Sequence, residues 1–144
     1  MMDDFLRRLG QLRGCVCAGV LAVEYETPAG DAIYAVGTSI AFTDGTKLDA
    51  QFWRLIKMGR PLVSIFDHRQ RYGLPAPVDA IGMLREELVG KLVEGASIDE
   101  ATGDLCFRFG SGVALQVFNF TAFEIWEVKF PDGTGELSNH ALAK

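Results

Sequence analysis

The chain has 144 residues, 49% of them apolar and 23% charged, with a formal net charge of -5 and a pI near 5.0. That length suits one domain with one core, and that composition argues against disorder. The acidic balance argues against a nucleic-acid or anionic-membrane partner, which would want a basic patch, and permits a basic protein partner.

The opening Met1-Met2-Asp3-Asp4 is acidic where a signal peptide is basic, and the longest apolar run, Cys15 to Val23, is half of a membrane span. The three cysteines are an odd number without framework spacing. They read as reduced thiols, so the expected location is the cytoplasm. Sixteen glycines in so short a chain favour many turns, and hence strands.

Asp3 or Asp4 caps a first helix over residues 3–13, with Phe5, Leu9 and Leu12 on one face and Gly14 as its stop. Cys15 to Glu26 reads as a buried strand, Thr27 to Asp31 as a turn, and Ile33 to Phe42 as the return, with a bulge at Gly37-Thr38-Ser39. Asp44-Gly45 predicts a type I′ hairpin turn. Lys47 to Lys57 alternates as a single strand, and Leu62 to Phe66 follows the turn at Gly59-Arg60-Pro61. Pro75 and Pro77 exclude a helix or central strand from residues 67–78, which read as a linker. Asp79 caps a second helix over 79–89, ended by Gly90. Strands follow at Lys91 to Asp99, Leu105 to Phe109, Val113 to Phe120 and Phe123 to Phe130. The tail from Thr134 is polar and is expected to fray or make a minor edge contact.

The order of landmarks repeats. Gly30-Asp31, Phe42, Gly45 to Leu48 and Phe52-Trp53 are matched by Gly103-Asp104, Phe109, Gly112 to Leu115 and Trp126. The first copy is six positions longer, placed around Gly37. The expected fold is α+β and mostly β: a single domain over 1–144, with two tandem β-meanders (15–66 and 91–130) in a curved sheet or incomplete barrel. The copies pair about a pseudo-twofold axis, because neither could bury its apolar face alone.

No catalytic constellation emerges. Cys15-x-Cys17 shares a strand face, yet a zinc site needs two more ligands, and His68, His140 and Cys106 are scattered; the pair reads as core filling. Asp67 and His68 are adjacent, so an extended chain points them apart and the acid does not orient the base. No nucleophile elbow or phosphate-binding loop is present. Phe118, Phe120, Phe123 and Trp126 lack the basic interleaving of a base-stacking platform and read as core. No cofactor or metal is expected, and no enzyme activity. Arg69, Arg71 and Tyr72, beside Asp67 and His68, make the linker a contact surface, since Arg and Tyr are hot-spot types. Glu124 and Trp126 share a strand face and form an acidic-aromatic pair. A cleft between the copies, lined by Trp53, Phe118 and Trp126, would suit a small ligand.

Gly103-Asp104-Leu105 with Phe109, Gly112 to Leu115, and Glu124-Ile125-Trp126 before Pro131-Asp132-Gly133 resemble a two-copy β-meander pattern in small bacterial proteins of unknown function. Asp44-Gly45, Leu48, Trp53-Arg54-Leu55 and Asp67 resemble its degenerate partner copy. The resemblance implies a bacterial interaction protein and supplies no catalytic position. By analogy of class, it implies toxin neutralisation of the immunity-protein kind. A ligand-binding β domain is the alternative, and an enzyme using His68 with Asp67 or Glu124 a third. Homodimerisation would be one way to cover sheet edges.

Overall fold

The computed structural model describes residues 2–24, 36–121 and 125–138. Helix α1 (Met2–Gly10) precedes β1 (Cys17–Glu24), β2 (Val36–Phe42), β3 (Lys47–Ala50), β4 (Trp53–Lys57) and β5 (Arg60–Ser64). A 3-10 turn (Ile65–Asp67) leads to α2 (Ala80–Leu88), then β6 (Val93–Ile98), β7 (Leu105–Phe109), β8 (Val113–Val117), β9 (Trp126–Lys129) and β10 (Gly135–Leu137). The α+β, mostly-β class is as the sequence implied. Two antiparallel five-stranded sheets, ordered β1-β2-β3-β9-β10 and β5-β4-β8-β7-β6, do not close into a barrel.

Each sheet mixes the halves of the chain. A three-stranded meander from one half receives a hairpin from the other, through β3 against β9 and β4 against β8. This corrects the expectation of a continuous strand over Lys47 to Lys57. The chain leaves the first sheet after Ala50 and enters the second at Trp53. Leu48 and Ala50 face the core, and so do Trp53 and Leu55. A single strand would have put Trp53 on the face opposite Ala50, because side chains alternate with period 2. The two-residue step across Gln51 and Phe52 resets the phase.

The pseudo-twofold relation is written in the backbone. Val16 and Leu92 form an isolated antiparallel bridge between the halves. Around it, Gly14 N donates to Val93 O and Gly90 N donates to Cys17 O, both at 2.9 Å. Cys17 N donates to Lys91 O as Val93 N does to Cys15 O, and Thr43 N donates to Val16 O as Gly110 N does to Leu92 O. Both hairpins in the pattern carry a register shift, at Cys17/Gly19 and at Val93/Gly95. The first bulge therefore sits near Ala18, while Gly37 is in regular register with Val23. Cys17 pairs with Phe42 across 25 positions and Val93 with Phe109 across 16, so the first hairpin is nine residues longer. The extra length lies beyond the Ala22–Thr38 pair, and the expected turn at Thr27 to Asp31 falls outside the described residues.

The helices fill the two open sides between the sheets. α2 packs on the edge strands β1 and β5. α1 packs on β6 and reaches the β9–β10 hairpin, with Phe5 stacked on Trp126 at 5.8 Å and Arg8 over the Phe130 ring. One continuous core runs through both sheets and both helices, including Leu12, Leu48, Leu55, Leu88, Phe107 and Leu115.

One further expectation is corrected. Gly45 has φ +95 and Asp44 is not in the left-handed region, so the turn is not type I′, which needs both. Gly45 N bonds Phe42 O and Phe42 N bonds Thr46 O, closing a three-residue loop, while the Asp44 carboxylate accepts from Thr46 N and Oγ1. The tail contributes β10, paired with β9 from Gly135 to Leu137.

Leu12 and Leu88 occupy equivalent places, each accepting a backbone bond three residues on, from Cys15 N and Lys91 N. Both are at most 1% exposed. Leu12→Ala and Leu88→Ala should each destabilise by about 2–5 kcal/mol in denaturant melts, with similar losses.

Candidate functional site

The outer face of the β5-β4-β8-β7-β6 sheet carries the most distinctive surface. Register places Ser64, Arg54, Gln116, Cys106 and Ser97 in one row across the five strands. Arg54 lies half-buried in this row. Its Nε and Nη2 both donate to Gln116 Oε1, at 2.9 and 2.5 Å, and its guanidinium stands 5.3 Å from the centre of the Phe118 ring. Arg108 lies against Gly95, where any Cβ would meet its guanidinium.

At one end of this face four phenylalanines stack. Phe52 lies 4.8 Å from Phe120 and 5.6 Å from Phe66, and Phe118 lies 5.7 Å from Phe120. Phe118 N donates to Phe52 O, so the strand junctions themselves hold the rings together. Phe66 is 45% exposed and Phe120 is 55% exposed. A cleft of about 360 Å³ adjoins the cluster, lined among others by Ser97, Asp104, Cys106, Gln116 and Phe118. Burial pushes the Cys106 thiol pKa up, against the neighbouring Arg108, so it is held as a neutral thiol.

The sequence pattern assigns Phe118 and Phe120 to the core; in the structure Phe118 is half-buried and Phe120 exposed, while Phe123 lies outside the described residues. A signal was present. Phe52 and Phe118 each neighbour a buried residue, namely Trp53 and Val117. Adjacent residues of an extended chain point apart, so a phenylalanine beside a buried residue faces out.

The tryptophans go the other way. Trp53 is 1% exposed and donates to Thr38 Oγ1 at 2.8 Å; Trp126 is 2% exposed and donates to Gly103 O at 2.8 Å. Both indoles are core residues with satisfied N–H groups, which corrects their placement beside a surface cleft. Glu124, the proposed partner of Trp126, lies outside the described residues.

The 67–78 linker is a pinned loop. Arg69 N bonds Val78 O and Val78 N bonds Gln70 O. Asp67 accepts from Ser64 N through Oδ2 and from the Tyr72 hydroxyl through Oδ1. Arg71 Nη2 donates to Pro75 O. Arg69 and Tyr72 adopt left-handed φ of 69 and 47, strained for residues with a Cβ. Tyr72 is 67% exposed, and Arg69 and Arg71 are also on the surface.

His68 has a structural task. Its Nδ1 accepts from Ala80 N at 3.1 Å while Asp79 accepts from Gly82 N, so two side chains cap α2. Among the described residues no hydrogen bond joins Asp67 to His68; the acid is spent on Ser64 and Tyr72. The geometry a His68–Asp67 base would need is not assembled among the described residues. Cys15 and Cys17 have thiol pKa values raised chiefly by burial, and no group of three or more His, Cys, Asp or Glu among the described residues could hold a metal ion. No helix there is long and apolar enough to cross a membrane.

No protein-family model, curated protein or solved structure matches the chain. The resemblance seen in Gly103 to Gly133, and in Asp44 to Asp67, therefore rests on those residues alone.

Burial, with the Arg69 charge, lowers the His68 pKa. A base with a depressed folded pKa binds fewer protons folded than unfolded, so its contribution is complete above the ordinary value of about 6.5 and is lost as pH falls through the folded pKa. The melting temperature of the wild type should fall as pH drops from about 7 to 5. His68→Asn, which keeps an acceptor that does not titrate, should lessen that fall.

Proposed function

We propose that this chain is a protein-binding module whose partner seats on the outer face of the β5-β4-β8-β7-β6 sheet. The observation that carries this reading is the stacked cluster of Phe52, Phe66, Phe118 and Phe120, with Phe66 and Phe120 about half exposed. A fully buried phenylalanine contributes about 1.5–3 kcal/mol relative to an exposed one, so a fold gains nothing by displaying two. Contiguous apolar patches on soluble proteins mark contact sites, and aromatic residues beside arginine are the usual anchors. Phe52 and Phe118 sit at the β3–β4 junction and just past the end of β8, Phe66 in the 3-10 turn and Phe120 beyond β8. The net charge of -5 disfavours an anionic membrane or nucleic acid as its occupant. Neutralisation of a toxin by covering its active site is the sharpest form of this reading.

Phe66→Ser with Phe120→Ser removes the exposed rings without touching the core. Tagged wild-type protein should retain a stoichiometric partner from host extract at physiological salt, and the double variant should retain at least about tenfold less with an unchanged melting temperature, since hot-spot losses reach 2 kcal/mol or more. Equal retention by both proteins would remove this face from consideration.

A second reading has its own observation, the cleft of about 360 Å³ beside Gln116 and Cys106, within the size range of small-ligand sites. A metabolite that raises the melting temperature of the wild type but not of Ser97→Trp, which fills the cleft, would support it.

A further inference from the structure

The two sheet faces differ in a way the pseudo-symmetry makes measurable. On the three inner strands of the first sheet, the outward positions hold Ser39, Ala41, Lys47, Asp49, Glu127 and Lys129. Charges there balance, and Lys129 Nζ lies 3.7 Å from Asp49 and 3.6 Å from Glu127. The equivalent positions of the second sheet hold Cys106, Arg108, Ala114, Gln116, Arg54 and Ile56. Both charges are positive, and neither arginine forms an ion pair among the described residues. Arg54 stands where the other sheet has Glu127, and Gln116 stands where it has Asp49.

A guanidinium carries five N–H donors in a fixed fork. Gln116 occupies Nε–H and one N–H of Nη2, fixing the plane of the group, and Phe118 fixes its depth. The Nη1–Nη2 edge keeps a hydrogen on each nitrogen, the pair that a carboxylate accepts bidentately. The acids lining the cleft already accept backbone bonds: Asp104 from Asn119 N, beyond the end of β8, and Asp99 from Ala101 N in its own turn. We infer that Arg54 reads a carboxylate on the partner, so that the segment bound here presents an acidic side chain next to an apolar one that covers the phenylalanine cluster. Local charge, against the sign of the net charge, thus sets the chemistry of the partner at this face. The inference rests on the protein-binding reading and adds the class of segment recognised.

A random peptide library displayed on phage, selected in parallel on wild type, Arg54→Gln and Phe66→Ser/Phe120→Ser, tests it. Peptides won on the wild type should carry Asp or Glu beside an aromatic or aliphatic residue. The best of them, resynthesised with Asn or Gln for the acid, should bind the wild type about tenfold more weakly, the scale of a charged hydrogen bond. The same exchange should leave binding to Arg54→Gln unchanged, and Arg54→Lys, which keeps the charge without the fork, should fall between. Acid and amide peptides of equal affinity for the wild type, or an acid preference that survives in Arg54→Gln, would overturn the role of Arg54 while leaving the phenylalanine contact standing. Peptides that bind the phenylalanine variant as tightly as the wild type, or no enrichment over that variant, would overturn both. Matched melting temperatures of all four proteins guard against loss of fold.

Discussion

The structure depends on a reciprocal exchange of hairpins. A three-stranded meander has one apolar face and one unpaired inner edge, and it can satisfy neither alone. Here each meander gains its fourth and fifth strands from the other half of the chain, through Ala50 against Trp126 and Val117 against Trp53. The two tryptophans sit at equivalent crossing points, each buried and each with its indole N–H bonded. α1 and α2 then close the remaining gaps between sheets. The exchange explains why one core serves both halves and why the backbone bonds around Val16 and Leu92 come in matched pairs.

Much of this is legible in the sequence. The spacing of Phe5, Leu9 and Leu12 gives α1, and Asp79 gives the start of α2, because a helix needs an apolar stripe and an acceptor for its first N–H groups. The doubling is legible because equivalent turns demand equivalent residues: Gly14 and Gly90 are both left-handed, as are Gly45 and Gly112. Which sheet a strand joins is not written in its alternation. Period 2 says which side chains share a face and is silent about the neighbour. Gly135-Glu136-Leu137 has no apolar rhythm of its own and becomes a strand only because β9 offers it an edge. Its inward Glu136, opposite Val128, is a charge of the kind that discourages further pairing at an outer strand.

The site was less legible than the scaffold, for a related reason. An aromatic residue in an apolar run is ordinarily core, and the assignment fails only where two apolar residues are neighbours on a strand. Phe52 beside Trp53 and Phe118 beside Val117 are such cases. The linker carries Arg, Tyr and His side chains of the kinds found at contact surfaces. Its hydrogen bonds mostly hold the loop together and cap α2, as His68 and Asp67 demonstrate. The asymmetry that distinguishes the halves lies instead on the sheet faces, where a compensated cluster around Lys129 is replaced by an uncompensated Arg54.

The hairpin exchange also governs how the chain must emerge during synthesis. β3 and β4 are made early, but their partners β9 and β8 come later, separated from them in sequence by roughly half of the chain. Until residue 126 has left the ribosome, the first sheet has only three strands and β3 presents a bare edge. Long-range pairing of this kind slows folding and prolongs the time for which an edge can meet another chain. The bulges at Cys17/Gly19 and Leu55/Ile56, Pro61 on β5 and the brevity of β10 guard the outer strands of the finished molecule. The β3 edge has no such guard, because in the native state it is never an edge. Its protection before completion falls to the speed of synthesis and to whatever binds nascent strands in the cell.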